Sequence, residues 1–334
     1  MRVLAADVGG TKTALASVEI TARSLAVIRE KRYASADFRG LAEVLADFLA
    51  GERKPPRFAG AGVAGPVRQG RARVTKLSWR IEEKSLARAF RGTSFRLVND
   101  FTANALGLPY LTPRQVRTLA RGRPERGGPI ALIGAGTGLG EAGLLVVDGV
   151  LVPFPSEGGH KDFSPRDERE YRFAAFLRAS GRSEWDRVLS GEGLAFLYDF
   201  LASEAPARRS RAISDAFARE SDRAAVVTRF GLEGGDTLAR EALYLFVSLY
   251  GSEAGNLALQ YRATGGVFVA GGIAPKILPA IEGGAFLESF RDKPPLREFL
   301  ERIPVRVVLE PRLGLFGAAA AGYRMAMETT RAFS

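Results

Sequence analysis

Cysteine is absent from this chain of 334 residues, which removes disulfides, thiolate nucleophiles and cysteine-ligated zinc from consideration. Histidine occurs once, as His160; a lone imidazole without an HExxH spacing makes a poor metal site. Long apolar runs are missing too. The longest, Ala242 to Tyr250, is interrupted by Gly251-Ser252-Glu253 and falls short of the roughly 20 residues that span a bilayer, so it reads as a buried core helix. No G-x-x-x-x-G-K-[ST] phosphate loop occurs. No basic-then-apolar leader separates Met1-Arg2 from the first apolar strand, and the expected location is the cytoplasm, with no membrane partner.

What is present is an ordinary globular composition, 46% apolar and 25% charged, in a chain long enough for two domains with substantial cores. The formal net charge is +11. Its basic residues are scattered, as in Arg208-Arg209-Ser210-Arg211 and Arg121-Gly122-Arg123, with no aromatic-interleaved stripe. They read as solvated surface that favours an anionic nucleotide, and no nucleic-acid partner is expected.

Two glycine-rich turns dominate the pattern, Asp7-Val8-Gly9-Gly10-Thr11-Lys12-Thr13 and Gly134-Ala135-Gly136-Thr137-Gly138-Leu139-Gly140. Each joins one β-patterned run to another: Val3 to Ala6 and Thr13 to Val18 flank the first, Pro129 to Ile133 and Gly143 to Val147 the second. Glycine lets a backbone turn tightly and aim several N–H groups at one phosphate. The second turn is out of register with G-x-G-x-x-G and no helical period follows it, which disfavours a dinucleotide fold. Both read as β-hairpin phosphate turns, and their occurrence in different halves of the chain suggests a nucleotide held between two lobes.

The first part alternates strands (Leu25 to Tyr33, Phe58 to Val63, Phe95 to Val98) with helices (Phe38 to Ala50, Glu82 to Phe90). The Pro- and Arg-rich passage from Pro109 to Pro129 reads as a crossing into a second, mostly helical lobe. Helical stretches are expected over residues 167–179, 194–203, 211–230 and 236–261, strands at Gly266 to Ala270 and Val305 to Leu309, and a small-residue helix from Gly314 to Met325 that packs back onto the first lobe. The expected division is residues 1–108 with 310–334 against 109–309.

Val98-Asn99-Asp100-Phe101 puts an amide and a carboxylate where an apolar strand ends and a helix begins, the end of a strand that faces the ligand in α/β sheets. A helix N-cap would also favour Asn or Asp there, but a cap does not need both. Ser156 to Phe163 concentrates Glu157, two glycines and His160, a set suited to hydrogen-bonding ligand hydroxyls. Thr11 and Lys12 complete the first phosphate turn, and Asp7, an acid ending an apolar strand, is placed to hold Mg2+ directly or through water.

Taken in order, six landmarks resemble the bacterial glucokinase group of the hexokinase, Hsp70 and actin superfamily: Asp7 to Thr11, Val98 to Ala103, Gly134 to Gly140, Glu157 to His160 with Asp162-Phe163, Arg187 to Gly191, and Ala270 to Ile273. The resemblance runs from near Val3 to near Gly322. It implies an α/β, two-lobed ribonuclease H-like (actin/hexokinase) fold with a cleft between the lobes, and transfer of the ATP γ-phosphoryl group to the 6-hydroxyl of glucose. Asp100 matches the family's general base, and Asn99, Gly138, Glu157 and His160 match its sugar side. Gly9, Gly10, Gly136, Thr137 and Gly138 match its phosphate turns, and Gly271-Gly272 lies where the adenosine is expected. Relatives are often homodimers.

Two positions depart from the pattern. Asp186 stands where the family places a sugar-reaching glutamate, and Lys76 where asparagine is frequent. A kinase of another hexose or amino sugar, polyphosphate as donor, and a non-catalytic sugar-sensing module on the same fold are the remaining readings.

Overall fold

The computed structural model describes residues 1–147 and 150–331. Two compact units emerge: residues 1–113 with 153–155 and 310–334, and residues 114–152 with 156–309. The last three residues of the expected C-terminal segment lie outside the described residues.

The first unit opens with β1 (Arg2–Val8), β2 (Lys12–Ile20) and β3 (Leu25–Ala34), followed by α1 (Leu41–Leu49) and β4 (Phe58–Val63). A small meander of β5 (Val67–Arg68), β6 (Arg71–Arg73) and β7 (Arg80–Glu82) leads to α2 (Glu83–Ala89), β8 (Ser94–Asn99) and α3 (Asp100–Gly107). The main sheet has the order β3-β2-β1-β4-β8. β1 is antiparallel to β2 but parallel to β4, and β4 is parallel to β8.

Alternation along β1 sorts its side chains between two layers. Leu4, Ala6 and Val8 join a core with Leu45, Phe48 and Trp79, while Val3 and Ala5 pack with Ala318, Ala319 and Ala321 of the last helix. That helix docks closely because the contacts are glycines. A Cβ on Gly317 would overlap the Ala103 carbonyl, and one on Gly60 the Ala318 carbonyl. The small-residue helix thus packs within the first unit, as its composition predicts.

In the second unit, β9 (Val116–Ala120), β10 (Ile130–Ala135), β11 (Leu139–Val147) and β12 (Val150–Ser156) precede six helices. These are α4 (Glu168–Ala179), α5 (Trp185–Val188), α6 (Gly191–Glu204), α7 (Arg211–Arg219), α8 (Arg223–Glu233) and α9 (Thr237–Gln260). Then come β13 (Gly266–Ala270), α10 (Leu278–Glu282), α11 (Ala285–Arg291), α12 (Arg297–Glu301) and β14 (Val305–Val308); α13 (Leu313–Arg331) closes the chain in the first unit. The sheet order is β12-β11-β10-β13-β14-β9.

Two local expectations change. The crossing passage contains an edge strand, β9, paired antiparallel to β14; its adjacent polar residues Arg117 and Thr118 and the prolines around it hide it. The single helix expected over residues 211–230 is two helices, because Asp222 starts α8 by accepting the Ala225 N–H. α9 runs unbroken through Gly251-Ser252-Glu253, where Gly251 lets the Phe286 backbone approach. No helix among the described residues is long and apolar enough to cross a membrane.

Candidate functional site

The first glycine turn closes the β1–β2 pair: the Gly9 N–H donates to the Lys12 carbonyl at 3.0 Å. Ser35 braces it from behind, its hydroxyl donating to the Gly9 carbonyl at 2.9 Å and its N–H to the Thr11 carbonyl. Gly10 is required by close approach, since a Cβ there would stand 2.8 Å from the Thr75 carbonyl oxygen. Thr11 and Lys12 are exposed.

Asp7 lies one residue before the end of β1, opposite Gly314 at the start of α13, where a Cβ would come within 2.8 Å of its carboxylate. It makes no hydrogen bond or ion pair among the described residues. Desolvation, reinforced by the charge of Asp100 and partly offset by Arg32, pushes its carboxyl up from the usual 3.8 to about 6. A crowded carboxylate with no hydrogen-bond or ion-pair partner among the described residues has the chemistry to fit a hard cation.

Asn99 is the N-cap of α3: its Oδ1 accepts from the Phe101 and Thr102 N–H groups, while Nδ2 donates to Asp100 Oδ1 at 2.9 Å and to the Gly65 carbonyl. Asp100 Oδ1 also accepts from the Phe101 N–H at 3.0 Å. The cap and the carboxylate are therefore one device. β1, β4 and β8 run parallel, so Asp7 and Asp100 stand at the carboxyl ends of strands in one sheet.

In the second unit, β10 and β11 pair up to Ala135 and Leu139, leaving Gly136, Thr137 and Gly138 as the turn. The Gly136 N–H donates to Gly138, and the Gly136 carbonyl accepts from Gly191, the first residue of α6. Gly136 faces open space and Thr137 is exposed. A Cβ on Gly138 would overlap the Asp186 carboxylate, whose Oδ1 accepts the Leu139 N–H at 2.7 Å. Gly271, at φ +81, packs tightly over Ala135 where β13 ends, while Gly272 is open.

Glu157 and His160 are both exposed and flank a 3₁₀ turn, Gly158–His160. His160 Nδ1 is 3.5 Å from Glu184 Oε1, and Asp186 completes a group of three ligand-type atoms within 4.8 Å of one another. Both carboxylates are already engaged, Asp186 by the Leu139 N–H and Glu184 by Arg182 at 3.5 Å. The second unit thus brings together Gly138, Asp186 and His160, and the first unit Asp7, Asn99 and Asp100.

Beneath the 3₁₀ turn lies a cluster that the motif reading missed. Lys161 Nζ is 2.7 Å from Glu253 Oε1 and 3.2 Å from Glu141 Oε2, and the two carboxylates are almost wholly buried. The signal was an acid within the apolar run of β11 and another within α9, each costly to bury without a partner. Gly314 was missed for the opposite reason: a glycine at a helix start has several ordinary explanations.

The family model for glucokinase matches residues 4–325. A glucokinase of Trichormus variabilis is 39% identical, with 97% of this chain and 99% of the relative covered. One from Synechocystis is 38% identical over 95% and 96%. The crystal structure of a glucokinase from an Antarctic psychrotroph superposes with a TM-score of 0.84 at 28% identity, covering 97% of this chain and 99% of that one. The mixed α/β fold is that of glucokinases and sugar kinases of the actin/hexokinase-like type.

Proposed function

The chain belongs to the glucokinase family, and from that premise we propose that it transfers the γ-phosphoryl group of ATP to the 6-hydroxyl of glucose, with Asp100 as general base. The observation that carries the assignment is the pair of carboxylates at the ends of parallel strands in one sheet, one with no hydrogen-bond or ion-pair partner among the described residues and the other held by donors from Asn99 and Phe101. Phosphoryl transfer asks the protein mainly for positioning, charge neutralisation and an acceptor for the hydroxyl proton.

Each unit has its part in this reading. In the first, Asp100 accepts the proton of the sugar hydroxyl, Asn99 orients it, and the Gly9-Gly10-Thr11-Lys12 turn offers N–H groups and an ammonium to phosphate. Asp7 would hold Mg2+, which arrives with ATP and neutralises its phosphate charge. In the second, Gly136, Thr137 and Gly138 offer a further phosphate turn, Gly271 and Gly272 receive the adenosine, and Glu157, His160 and Asp186 hold sugar hydroxyls. Asp186 reaches one methylene less far than glutamate and its Oδ1 is already tied to Leu139, so its share in sugar binding runs through the turn as much as through direct contact.

We further propose a cytoplasmic homodimer that supplies glycolysis with phosphorylated glucose. Sedimentation of the purified protein tests the dimer. The decisive experiment for the activity is a panel of sugars against ATP and polyphosphate with Mg2+, scored by product and by ADP. Turnover of glucose with ATP is expected; turnover of another sugar alone rejects the substrate. Asp100→Ala should lower kcat by roughly 10² to 10⁴ with the fold retained, and an unchanged rate removes Asp100 from its role.

A further inference from the structure

We propose that the buried Glu141 and Glu253, with the half-buried Lys161 between them, form a positioning device that anchors the Gly158–His160 turn from beneath, and that this anchor sets affinity for the sugar rather than the rate of phosphoryl transfer. The proposal rests on the reading that Glu157 and His160 hold sugar hydroxyls.

The geometry is specific. Glu141 is the third residue of β11, directly after the second glycine turn, and its carboxylate presses against Gly158 so closely that a Cβ there would overlap Oε2. Lys161 Nζ, 3.2 Å from Oε2, is its close cationic neighbour among the described residues. Lys161 follows the turn, its own N–H donating to the Gly158 carbonyl, and its ammonium donates to Glu253 of α9 at 2.7 Å. Glu253 is in turn held by Asn256 Nδ2 at 2.7 Å. The turn is therefore gripped at both ends, by a carboxylate against Gly158 and by a side chain rooted at Lys161.

Two buried carboxylates share one ammonium, so the cluster carries surplus negative charge when both are ionised. Burial, then repulsion from Glu253, pushes Glu141 up from the usual 4.5 to about 7, against the pull of Lys161. The ammonium is held above its usual range by Glu253 and Glu141, although burial works the other way. The remaining groups facing the cluster are Tyr261, which senses both Glu141 and Lys161, and Lys293, which faces Glu253 and donates to Ser252. Ionisation of Glu141 above pH 7 adds repulsion inside the anchor and loosens its hold on Gly158.

The test uses the full-length protein with Glu141→Ala and Glu141→Gln. In Glu141→Ala the KM for glucose should rise roughly 10-fold, as for other outer-layer supports of a binding group, with KM for ATP and kcat within about 2-fold of the parent. Hydrogen exchange at the His160 and Lys161 amides, measured without substrate, should accelerate. Should Glu141→Ala fail to fold, Glu141→Gln carries the test: it keeps shape, loses the charge, and should flatten a glucose KM that in the parent climbs above pH 7. Unchanged exchange, an unchanged glucose KM, a parallel loss in ATP affinity, or a pH profile that survives in Glu141→Gln each overturns the proposal. If the parent does not turn over glucose, the functional reading falls by itself, and the exchange measurement still decides whether Glu141 anchors the turn.

Discussion

Each unit builds a glycine turn between antiparallel strands whose first member has a parallel neighbour: β1–β2 beside β4, and β10–β11 beside β13. Aligned on their last paired strand residues, Val8 and Ala135, the first turn carries Asp7 where the second carries Gly134. The acid of the first turn is part of its own strand and has no hydrogen-bond or ion-pair partner among the described residues. The acid beside the second, Asp186, comes from α5 and is spent on the Leu139 N–H. On the proposed function, both turns of this common scaffold face phosphate through their backbone, and the first alone adds a carboxylate for a cation. The division of labour rests on one position in each strand.

The harshest way to break this comparison is to remove the acid from the turn that has it. Asp7→Ala should lower kcat/KM for MgATP by roughly 10²-fold or more, the scale of losing one preorganised charge partner, while glucose binding measured by calorimetry stays within a few-fold. A loss confined to glucose binding would show that Asp7 serves the sugar and that the two turns do not divide as argued.

The same residue makes a stability prediction. Because the Asp7 carboxyl is raised in the fold from 3.8 to about 6, its stabilising contribution is complete below about pH 4 and is lost as pH rises through 6. Without Mg2+, an ionised Asp7 at pH 8 costs on the order of 3 kcal/mol. Asp7→Asn should therefore melt higher than the parent at pH 8, the gap closing below pH 4 and narrowing when Mg2+ is added. A gap independent of pH would mean that packing against Gly314, not charge, governs the site.

The second turn is tested by a substitution that costs the fold nothing. A Cβ on Gly136 meets no atom within 4 Å, so Gly136→Ala should leave the melting temperature unchanged. If the turn cradles phosphate, the methyl group stands where the ligand approaches and raises KM for ATP by about 10-fold, equivalent to about 1.4 kcal/mol. Gly10→Ala is the control, because its Cβ lies 2.8 Å from the Thr75 carbonyl and stability should fall even without nucleotide. Equal ATP affinity in Gly136→Ala and the parent would withdraw the phosphate role from the second turn.

How much of this was legible follows the same physics. Both turns, Asp100 with its amide, and the 157–160 segment could be read because glycine beside an acid at a strand end has few idle explanations. The N-cap role of Asn99 was visible as an alternative, and the structure makes cap and carboxylate a single arrangement. The Glu141–Lys161–Glu253 cluster was not legible, because residues far apart in sequence meet only in the folded chain, through Lys161, and Lys161 stands beside the more conspicuous His160. β9 escaped for another reason: an arginine-bearing edge strand has no apolar alternation to announce it.

The smallest effect concerns Lys76, where the departure from the family's frequent asparagine has a backbone reason. Lys76 holds φ +67, and its Cβ would lie 3.4 Å from a Cβ on Gly10. Left-handed backbone costs an L-residue roughly 1–2 kcal/mol, and asparagine tolerates it better than lysine. Lys76→Asn should therefore raise stability by about 1 kcal/mol, a gain of a few degrees in Tm, with kinetics unchanged. Should ATP affinity fall instead, the ammonium of Lys76 would be serving the anion beside the first turn, and the lysine would have traded backbone ease for charge. That outcome would sharpen the contrast between the turns, adding a cation from β5–β7 to the side where the second turn has only its backbone.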